Sequence, residues 1–571
     1  MKRLGIMASL LLLGSTFVSA IAMSKSEAEQ IVRGFIEEKM GYDIDSISVA
    51  QSKEMMTRLD IALGDSITVD EPSWMFFVDP TPNRSWGHVC KYVIISPESK
   101  KVRVATKEMY PDNSEDWTFI ISPLSDEIKD FDYTTRFVKP GLYVSKKTST
   151  VKSNAYAILI SGGGSMSGNW QDGWNEVSIM YQALTDLHGY KKENIVTIMS
   201  DGDNPAPDMV IGGKEVSSPL DLDGDGESDI DYASTNANVK LAFEDLATKV
   251  KEGDDVFVYI VSHGNVDIVA LYGSNQYLRA YQLKSYLNNL KAKSVTVYVS
   301  ACHSGSFVDD LSGTNRTIVT STSQSESGWA GDIGSFWDPF FGALTGVDFR
   351  TDAIVNCDVN GDGKNDLYES YIYGIAGDYH SDIRFIGSSY HTTPYLWTSK
   401  AMSQGIDIEA GSGRIMSGES FEANSAISNA HIVYQSPKLV KLTSGFSYKQ
   451  SGLAAFKAVV NENMLKDCQK TVVPIPDEEY MLNLETTESD NVQIDGKVSV
   501  SLNFENRLLS IVAANSLVDN IVVTDVSGKI LVEKDVNANQ AEIDLSAYPK
   551  GVYIVKVVTE NKSYVEKVVL K

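Results

Sequence analysis

The sequence predicts an α/β protein in which a mainly parallel, helix-covered sheet follows a small α+β domain and precedes β-sandwich-like modules. Between residues 153 and 400, nearly continuous Val, Ile and Tyr runs alternate with amphipathic helical patterns, as in sheets that are buried on both faces. Beyond residue 410, short alternating strands are separated by Gly, Ser and Asn turns. The length of 571 residues indicates several domains, because a single core stops growing near about 250–300 residues.

The composition excludes several classes of protein. The chain has 50 Lys and Arg residues against 76 Asp and Glu residues, a net charge of −26, and so lacks the basic surface that nucleic-acid binding requires. An apolar share of 43% excludes wholesale disorder. Four cysteines are too few for a disulfide-dense scaffold. The acidic surplus serves either solubility or calcium binding.

Residues 1–22 are predicted to be a secretory signal peptide. A basic start at Lys2 precedes the short apolar run Leu10–Leu13, and Ala20 and Ala22 supply the small-residue cleavage pattern. The apolar run is too short to span a membrane, and no later stretch reaches a spanning length. We therefore expect a protein that is exported from the cytoplasm.

Residues 23–115 are predicted to form the small α+β domain. Ser24–Met40 has an amphipathic helical pattern, and strand-like runs follow at Trp74–Val78 and Lys91–Ile95. Residues 116–152 are predicted to be an exposed linker, because a Pro-Gly pair and a polar, basic stretch interrupt the strand and helix patterns there.

The central domain, residues 153–400, contains predicted strands and helices in alternation. The strands are Ala155–Ile160, Asn194–Met199, Asp255–Ser262, Ser294–Ser300 and Arg316–Ser321, and the helices are Trp174–His188, Asn236–Val250 and Tyr281–Leu290. Two strands end in residues that carry chemistry, His263 and Cys302. Because ligands of open parallel sheets bind outside the carboxyl ends of the strands, we expect these two side chains to meet there.

His263 and Cys302 suit a base and a nucleophile. An imidazole that accepts or stabilises the thiol proton gives a thiolate, and the adjacent Gly264 and Gly305 leave backbone amides open to face an oxyanion. Taken singly, a buried Cys and a hydrogen-bonded loop His are the commoner explanations. Both lie at the end of an apolar strand next to a Gly-rich turn, which favours catalysis. His303 is a weaker candidate for the base, because as the immediate neighbour of Cys302 it should point elsewhere.

The motifs VYIVSHGN and VTVYVSACHSGSF resemble those of the legumain family of caspase-like cysteine peptidases. The similarity extends upstream through AYAILISGGG and covers roughly residues 153–400. It implies a caspase-like fold and a dyad in which Cys302 attacks the scissile carbonyl and His263 assists proton transfer. It also implies that the backbone amides of Gly264 and Cys302 form the oxyanion site.

The sequence departs from legumains in the region of their specificity pocket. Legumains have an acidic residue two positions before the nucleophile, where this chain has Ser300. Their Asn-Tyr-Arg-His run corresponds only loosely to the run that begins at Asn169. Asparaginyl specificity is therefore not implied. Asp172, Asp332 and Asp338 are either pocket residues for a basic side chain or solvated loop residues.

Two Asp-rich loops predict structural Ca²⁺ sites. Residues 358–369 fit the twelve-residue calcium loop, with Gly at position 6. The predicted ligands are Asp358, Asn360, Asp362, the carbonyl of Lys364, Asp366 and Glu369. Residues 221–231 repeat the opening of this pattern, and the variant site would use Asp221, Asp223, Asp225, Glu227, Asp229 and Asp231. Calcium has no necessary part in thiol catalysis, so its expected role is to stabilise these long connections.

The C-terminal region, residues 490–571, resembles the sorting domain of type IX secretion. The resemblance rests on IVVTDVSGKILVEK, AEIDLSAYPKGVYIVKV and VEKVVLK. It implies that the type IX secretion machinery exports the chain through the periplasm and outer membrane to the cell surface or the extracellular space. A small Ig-like domain without an addressing role is the alternative. Residues 410–465 are similar to the short β modules that often precede such a signal.

Residues 23–115 resemble the inhibitory pro-domains of secreted bacterial cysteine peptidases. The resemblance implies that this domain inhibits the chain's own cleft until the linker is cut near Lys146, Lys147 or Lys152. We predict a secreted, calcium-loaded cysteine endopeptidase that acts on proteins or peptides and is made as an inhibited precursor. The alternatives are a surface adhesion or binding protein with an inert caspase-like domain, and a transpeptidase in which an amine resolves the acyl-enzyme.

Overall fold

A computed structural model describes residues 23–121, 154–469 and 477–570, with short gaps. The gaps are residues 45, 81–88, 108, 113–115, 212–213, 329–334, 349–352, 360, 362, 364, 387–390, 451, 484–492, 495–497, 504–506, 514–516, 526–528, 550 and 560–562. The predicted signal peptide and most of the predicted linker lie outside the described residues. Within the described ranges, every helix is too short or too polar to cross a membrane.

The N-terminal domain packs one helix against an antiparallel sheet. Helix α1 (Lys25–Phe35) begins with a reciprocal cap between Ser24 and Glu27 and continues as a π-helical turn, Ile36–Met40. The strands are β1 (Ser48–Ser52), β2 (Met56–Ile61), β3 (Asp65–Asp79), β4 (Cys90–Ser96), β5 (Lys101–Lys107) and β6 (Trp117–Ile121). The apolar face of α1 is buried against this sheet, with Phe35 in the same core as Phe76 and Val93. The α+β prediction is confirmed, and its last strand extends six residues beyond the predicted boundary at residue 115.

The central domain is built on a parallel sheet in the strand order β8, β7, β11, β15, β16. Its strands are β7 (Ala155–Ser161), β8 (Ile195–Met199), β9 (Met209–Ile211), β10 (Lys214–Val216), β11 (Asp255–Val261), β12 (Gly264–Asn265), β13 (Ile268–Ala270), β14 (Tyr277–Arg279), β15 (Ser294–Ser300) and β16 (Arg316–Thr320). Its helices are α2 (Gln171–Gln182), α3 (Asn236–Lys249), α4 (Ala280–Asn288), α5 (Phe307–Leu311), α6 (Trp337–Thr345) and α7 (Leu367–Gly377). The predicted mainly parallel, helix-covered sheet is confirmed.

Helices cover both faces of this sheet because successive strand residues point to opposite sides. In β7, Ile158 and Ile160 share one core with Phe243 of α3 and with α4. Leu159 faces the other way and shares a second core with Trp174 of α2 and with α6 and α7. Since every Ala, Ile and Leu of β7 is buried, the strand has a continuous apolar sequence and not an alternating one.

Residues 395–460 form successive coils of parallel β-strands, and one strand of each coil extends the central sheet. The strands are β17 (Tyr395–Thr398), β18 (Met402–Gln404), β19 (Ser412–Ser417), β20 (Ser420–Ala423), β21 (Ala426–Ser428), β22 (His431–Ser436), β23 (Leu439–Leu442), β24 (Ser447–Lys449) and β25 (Phe456–Val460). Strand β17 pairs antiparallel with β16, and β19, β22 and β25 then follow in parallel register. The remaining strands form two parallel ladders, β18-β20-β23 and β21-β24.

This arrangement differs from the separate β-sandwich-like module expected at residues 410–465. The strands β19, β22 and β25 belong to the central sheet itself. Local alternation of apolar and polar residues is the same in a sandwich strand and in a strand of a parallel coil, so the sequence pattern does not distinguish the two.

The C-terminal segment contributes to two parts of the molecule. Strand β26 (Glu478–Asn483) pairs antiparallel with β5 of the N-terminal domain, and β27 (Gln493–Ile494) follows it. The remaining strands are β28 (Val498–Asn503), β29 (Leu508–Ala513), β30 (Val518–Asp525), β31 (Ile530–Ala538), β32 (Gln540–Asp544), β33 (Gly551–Thr559) and β34 (Ser563–Leu570). They form two antiparallel sheets around one apolar core, as the β-sandwich prediction for this region requires.

Candidate active site

The two predicted catalytic residues follow neighbouring parallel strands. Strands β11 and β15 pair in a register that sets Val261 opposite Ser300. His263 and Cys302 each lie two residues beyond this pair, and only 5% and 4% of their surfaces are exposed. Both line one cavity. The structure therefore brings His263 and Cys302 together at the carboxyl edge of the sheet.

The imidazole of His263 is held by backbone and by aromatic rings. Its Nε2 lies 3.1 Å from the carbonyl oxygen of Gly168. Because a carbonyl oxygen only accepts, this contact places the proton on Nε2 and leaves the lone pair on Nδ1. The rings of Trp170 and Tyr110 lie 4.1 Å and 5.4 Å from the imidazole, centroid to centroid. The ring is therefore fixed in a form that can accept a proton through Nδ1.

Cys302 lies against backbone on two sides. Its Sγ accepts a hydrogen bond from the Gly328 amide at 3.2 Å, a contact that favours a thiolate. On the other side, a Cβ at Gly264 would lie 2.5 Å from the Cys302 carbonyl oxygen and 2.8 Å from the Cβ of Ala301. Only glycine allows the loop after His263 to run this close to Cys302. The predicted oxyanion residues Gly264 and Cys302 are thus adjacent in the structure.

His303 points away from this cavity. It adopts a left-handed backbone conformation with φ of 56°, and its Nδ1 lies 3.2 Å from the carbonyl oxygen of Gln324. It is buried but does not line the cavity that contains Cys302. This placement agrees with the expectation that His303, as the immediate neighbour of Cys302, is a weaker candidate for the base than His263.

A cavity lies beside His263 and Cys302. Its described lining is Trp170, Ser262, His263, Ser300, Ala301, Cys302, Ser321, Gly328, Ser335, Phe336, Trp337, Asp378 and Thr392. Asp378 is the sole carboxylate of this set, and only 3% of it is exposed. Its Oδ1 accepts from the His380 amide at 2.9 Å, and its Oδ2 accepts from the Thr392 hydroxyl at 3.0 Å. Burial raises the pKa of Asp378 to about 7.

A second buried carboxyl group, that of Glu176, lies next to Ser300. Glu176 of α2 is fully buried and accepts a hydrogen bond from the Tyr259 hydroxyl. Burial raises the pKa of Glu176 well above its ordinary range, and Asp172 and Asp338 raise it further. Asp172 and Asp338 are half-buried and do not line the cavity, and Asp332 lies outside the described residues.

These observations correspond to a known family. Residues 155–371 match the model of the Peptidase C13 family. Residues 495–571 match the model of the secretion system C-terminal sorting domain. The two resemblances inferred from the sequence, to legumain-like peptidases and to the type IX sorting domain, are thereby confirmed. The sorting domain indicates secretion to the cell surface or the extracellular space.

The relatives are plant enzymes that match in part. A vacuolar-processing enzyme of Vicia sativa is 29% identical over 34% of this chain and 42% of its own length. The delta-isozyme of the vacuolar-processing enzyme of Arabidopsis thaliana is 25% identical over 40% of this chain and 53% of its own length. The chain thus spans about half the length of these relatives.

Similar solved structures include caspase-1 from Spodoptera frugiperda and a structural-genomics protein from Geobacter sulfurreducens. The caspase is 11% identical, covering 44% of this chain and 88% of its own, with a TM-score of 0.26. The Geobacter protein is 13% identical, covering 34% of this chain and 80% of its own, with a TM-score of 0.22.

The N-terminal domain contacts the candidate site directly. The Tyr110 hydroxyl donates to the Gly163 carbonyl at 3.2 Å, and the Tyr110 ring meets His263 edge-on. Nearby, the Tyr277 hydroxyl donates to Asp112 Oδ1 at 2.9 Å. Ile268 and Ala270 of the central domain share an apolar core with Leu63 and Met109 of the N-terminal domain. The sequence carries no local signal that identifies Tyr110 as a neighbour of His263.

The first Asp-rich loop gathers three of its predicted ligands. Carboxylate oxygens of Asp221, Asp223 and Asp225 lie within 4.8 Å of one another. The ammonium group of Lys192 lies 2.6 Å from Asp223 Oδ2 and 2.5 Å from Asp225 Oδ2.

Of the other predicted ligands in the first loop, Asp229 also lies near the lysine, with its Oδ1 4.0 Å from the ammonium group of Lys192. Asp229 and Asp231 each accept a backbone amide, from Leu222 and from Thr197 respectively, both at 2.8 Å. Glu227 is exposed. The three convergent carboxylates and one lysine are therefore the charged centre of this loop.

The second loop has the same backbone pattern. Asp358 accepts the amides of Gly361 and Gly363, each at 2.7 Å, as Asp221 accepts those of Gly224 at 2.6 Å and Gly226 at 2.9 Å. All four glycines have positive φ. Asp366 and Glu369 cap helix α7 reciprocally. The predicted ligands Asn360, Asp362 and Lys364 lie outside the described residues.

Proposed function

We propose that the protein is a secreted cysteine endopeptidase with Cys302 as nucleophile and His263 as proton carrier. The observation that carries the proposal is the placement of both residues two positions beyond paired strand ends, at one shared cavity. The Peptidase C13 match over residues 155–371 supports it. The substrates would be proteins or peptides, and the sorting domain would deliver the chain to the type IX secretion machinery.

The proposed reaction has two halves. His263 Nδ1 accepts the proton of the Cys302 thiol as the sulfur attacks the scissile carbonyl carbon. The C–N bond then breaks as Nδ1 supplies this proton to the leaving amine. The amides of Gly264 and Cys302 hold the carbonyl oxygen while it carries negative charge. Water then attacks the thioester carbon and gives a proton to His263. The C–S bond breaks and releases the acid, and His263 returns the proton to the Cys302 sulfur.

An alkylating thiol probe tests this assignment. Burial raises the pKa of the other three thiols, to about 11 for Cys357, to about 12 for Cys468 and well above the ordinary value for Cys90. These thiols are protonated and poorly nucleophilic at neutral pH. We expect the wild-type protein and Cys468→Ala, the matched control, to be labelled once, and Cys302→Ala to stay unlabelled. Full labelling of Cys302→Ala would refute the assignment. An unreactive wild type would favour an inert binding domain.

The N-terminal domain would hold the enzyme as an inhibited precursor. Tyr110 packs against His263 and bonds to the loop that contains Gly163, so the domain restricts the catalytic side chain. Strand β26 pairs with β5 of the same domain, and Arg103 forms an ion pair with Asp477 at 2.8 Å. Because β26 follows the catalytic domain in the chain, cutting the linker alone would leave this domain attached by β-pairing.

The Asp-rich loops would bind structural calcium. Convergence of Asp221, Asp223 and Asp225 supports a site of oxygen ligands, which Ca²⁺ prefers. Lys192 balances the charge of these carboxylates, and binding of the ion would displace it. Terbium luminescence titration, with competition by Ca²⁺, tests both loops. Absence of any saturable signal would contradict this part of the proposal.

A further inference from the structure

Resting on the peptidase activity proposed above, we propose that the cavity beside Cys302 selects a lysine or arginine side chain on the acyl side of the scissile bond, with Asp378 as the selecting residue. The cavity shares His263 and Cys302 with the candidate site. A peptide whose carbonyl lies against Cys302 would therefore direct its adjacent side chain into this space.

The lining chemistry favours a cation. Three aromatic residues, Trp170, Phe336 and Trp337, line the cavity, and a cation over an aromatic face is attracted by the ring. None of the described lining residues is Lys or Arg, so the negative charge of Asp378 has no cationic partner within that set. The hydroxyl of Ser335 is buried and has no hydrogen-bond partner among the described residues. A guanidinium or ammonium group would satisfy both Asp378 and Ser335.

Asp378 is held in place for this role. Its Oδ1 accepts a hydrogen bond from the His380 amide and its Oδ2 accepts one from the Thr392 hydroxyl, and these bonds fix the orientation of the carboxyl group. A buried carboxylate without a counter-ion is unfavourable, and an entering cation removes that cost. A neutral asparagine amide would give one hydrogen bond but no charge compensation. The cavity therefore discriminates by charge.

The linker sequence is consistent with this selectivity. Residues 122–153 contain Lys129, Arg136, Lys139, Lys146, Lys147 and Lys152 but no asparagine. An enzyme that matures by cutting this segment cannot cut after an asparagine there, whereas six Lys or Arg residues are present. The inference predicts self-cleavage after one or more of these six residues.

The test uses the full-length protein after activation and four peptides. They differ only in the residue on the acyl side of the scissile bond, which is Lys, Arg, Asn or Ala. We expect the wild type to prefer Lys or Arg in kcat/KM by about 100-fold over Ala, the scale that a site built for a specific polar contact achieves or exceeds. Asp378→Asn should lose this preference for Lys or Arg over Ala. Asp382→Asn, a carboxylate four positions later and outside the cavity, should behave as wild type.

Labelling of Cys302 by a small alkylating probe distinguishes a failure of the inference about Asp378 from a failure of the peptidase assignment. If Cys302 is labelled in wild type and in Asp378→Asn but Asn or Ala peptides are cleaved best, the inference about Asp378 is overturned and the peptidase assignment stands. If wild-type Cys302 is unreactive and no peptide is cleaved, the peptidase assignment itself fails. An Asp378→Asn protein that is labelled normally and still prefers Lys would also overturn the role of Asp378.

Discussion

Replacing Asp378 by asparagine should stabilise the folded chain at neutral and alkaline pH. Burial raises the folded pKa of this carboxyl from its ordinary 3.8 to about 7. Between these values the folded state binds a proton that the unfolded state has lost, so stability falls as pH rises from about 4 to about 7 and is constant above. A difference of about 3 in pKa corresponds to about 4 kcal/mol.

Asparagine does not ionise, so the Asp378→Asn protein does not lose this folding stability as the pH rises. It keeps one acceptor in place of two, so one hydrogen bond worth about 1 kcal/mol is lost at every pH. Asp378→Asn should therefore be less stable than wild type by about 1 kcal/mol near pH 4 and more stable by about 3 kcal/mol near pH 8.

Equilibrium urea unfolding at the two pH values measures this difference. Both proteins should carry Cys302→Ala to prevent self-cleavage. Tryptophan fluorescence follows the unfolding, since two of the eight tryptophans, Trp170 and Trp337, line the cavity. The change in the stability difference between the two pH values isolates Asp378, since all other groups are shared. A stability difference that does not vary with pH would refute the claim that this carboxyl is buried without a cation.

Four further outcomes follow from the geometry. The preference of kcat/KM for Lys over Ala peptides should rise with pH through about 7, since only ionised Asp378 attracts the cation; a flat ratio contradicts this. Gly264→Ala should slow labelling of Cys302 by about 10-fold or more, because its Cβ would meet the Cys302 carbonyl at 2.5 Å; an unchanged rate contradicts the close approach. Tyr110→Ala should raise the peptidase activity of the uncut precursor, whereas Phe119→Ala, an exposed control in the same domain, should not; equal effects contradict inhibition through His263. Asp358→Ala should reduce the terbium signal of the second loop, and exposed Glu252→Ala should leave it unchanged; full binding by Asp358→Ala contradicts that site.

The sheet and the shared position of His263 and Cys302 at its edge follow from local sequence. The strand predicted at Ser294–Ser300 has those bounds in the structure, because a buried parallel strand is a continuous apolar run with sharp polar ends. His263 and Cys302 were identifiable because each directly follows such a run. Parallel pairing then brings them to one edge without further information.

Asp378 and Tyr110 were not identifiable in this way. Asp378 follows helix α7, 76 residues after Cys302, and reaches the cavity only because α7 packs on the sheet. Tyr110 comes from a different domain. The parallel coils of residues 395–460 were missed because their strands carry the same alternation as antiparallel strands. In each case the deciding contact is long-range and leaves no periodic signal in the chain.

Peptide mapping of the activated protein after reaction with two matched inhibitors tests the central claim most directly. The inhibitors carry the same thiol-reactive group on a lysyl or an asparaginyl peptide. The account predicts a lysyl adduct on Cys302 that forms much faster than the asparaginyl adduct. A faster asparaginyl adduct, or an adduct on Cys90, Cys357 or Cys468 in place of Cys302, would contradict it.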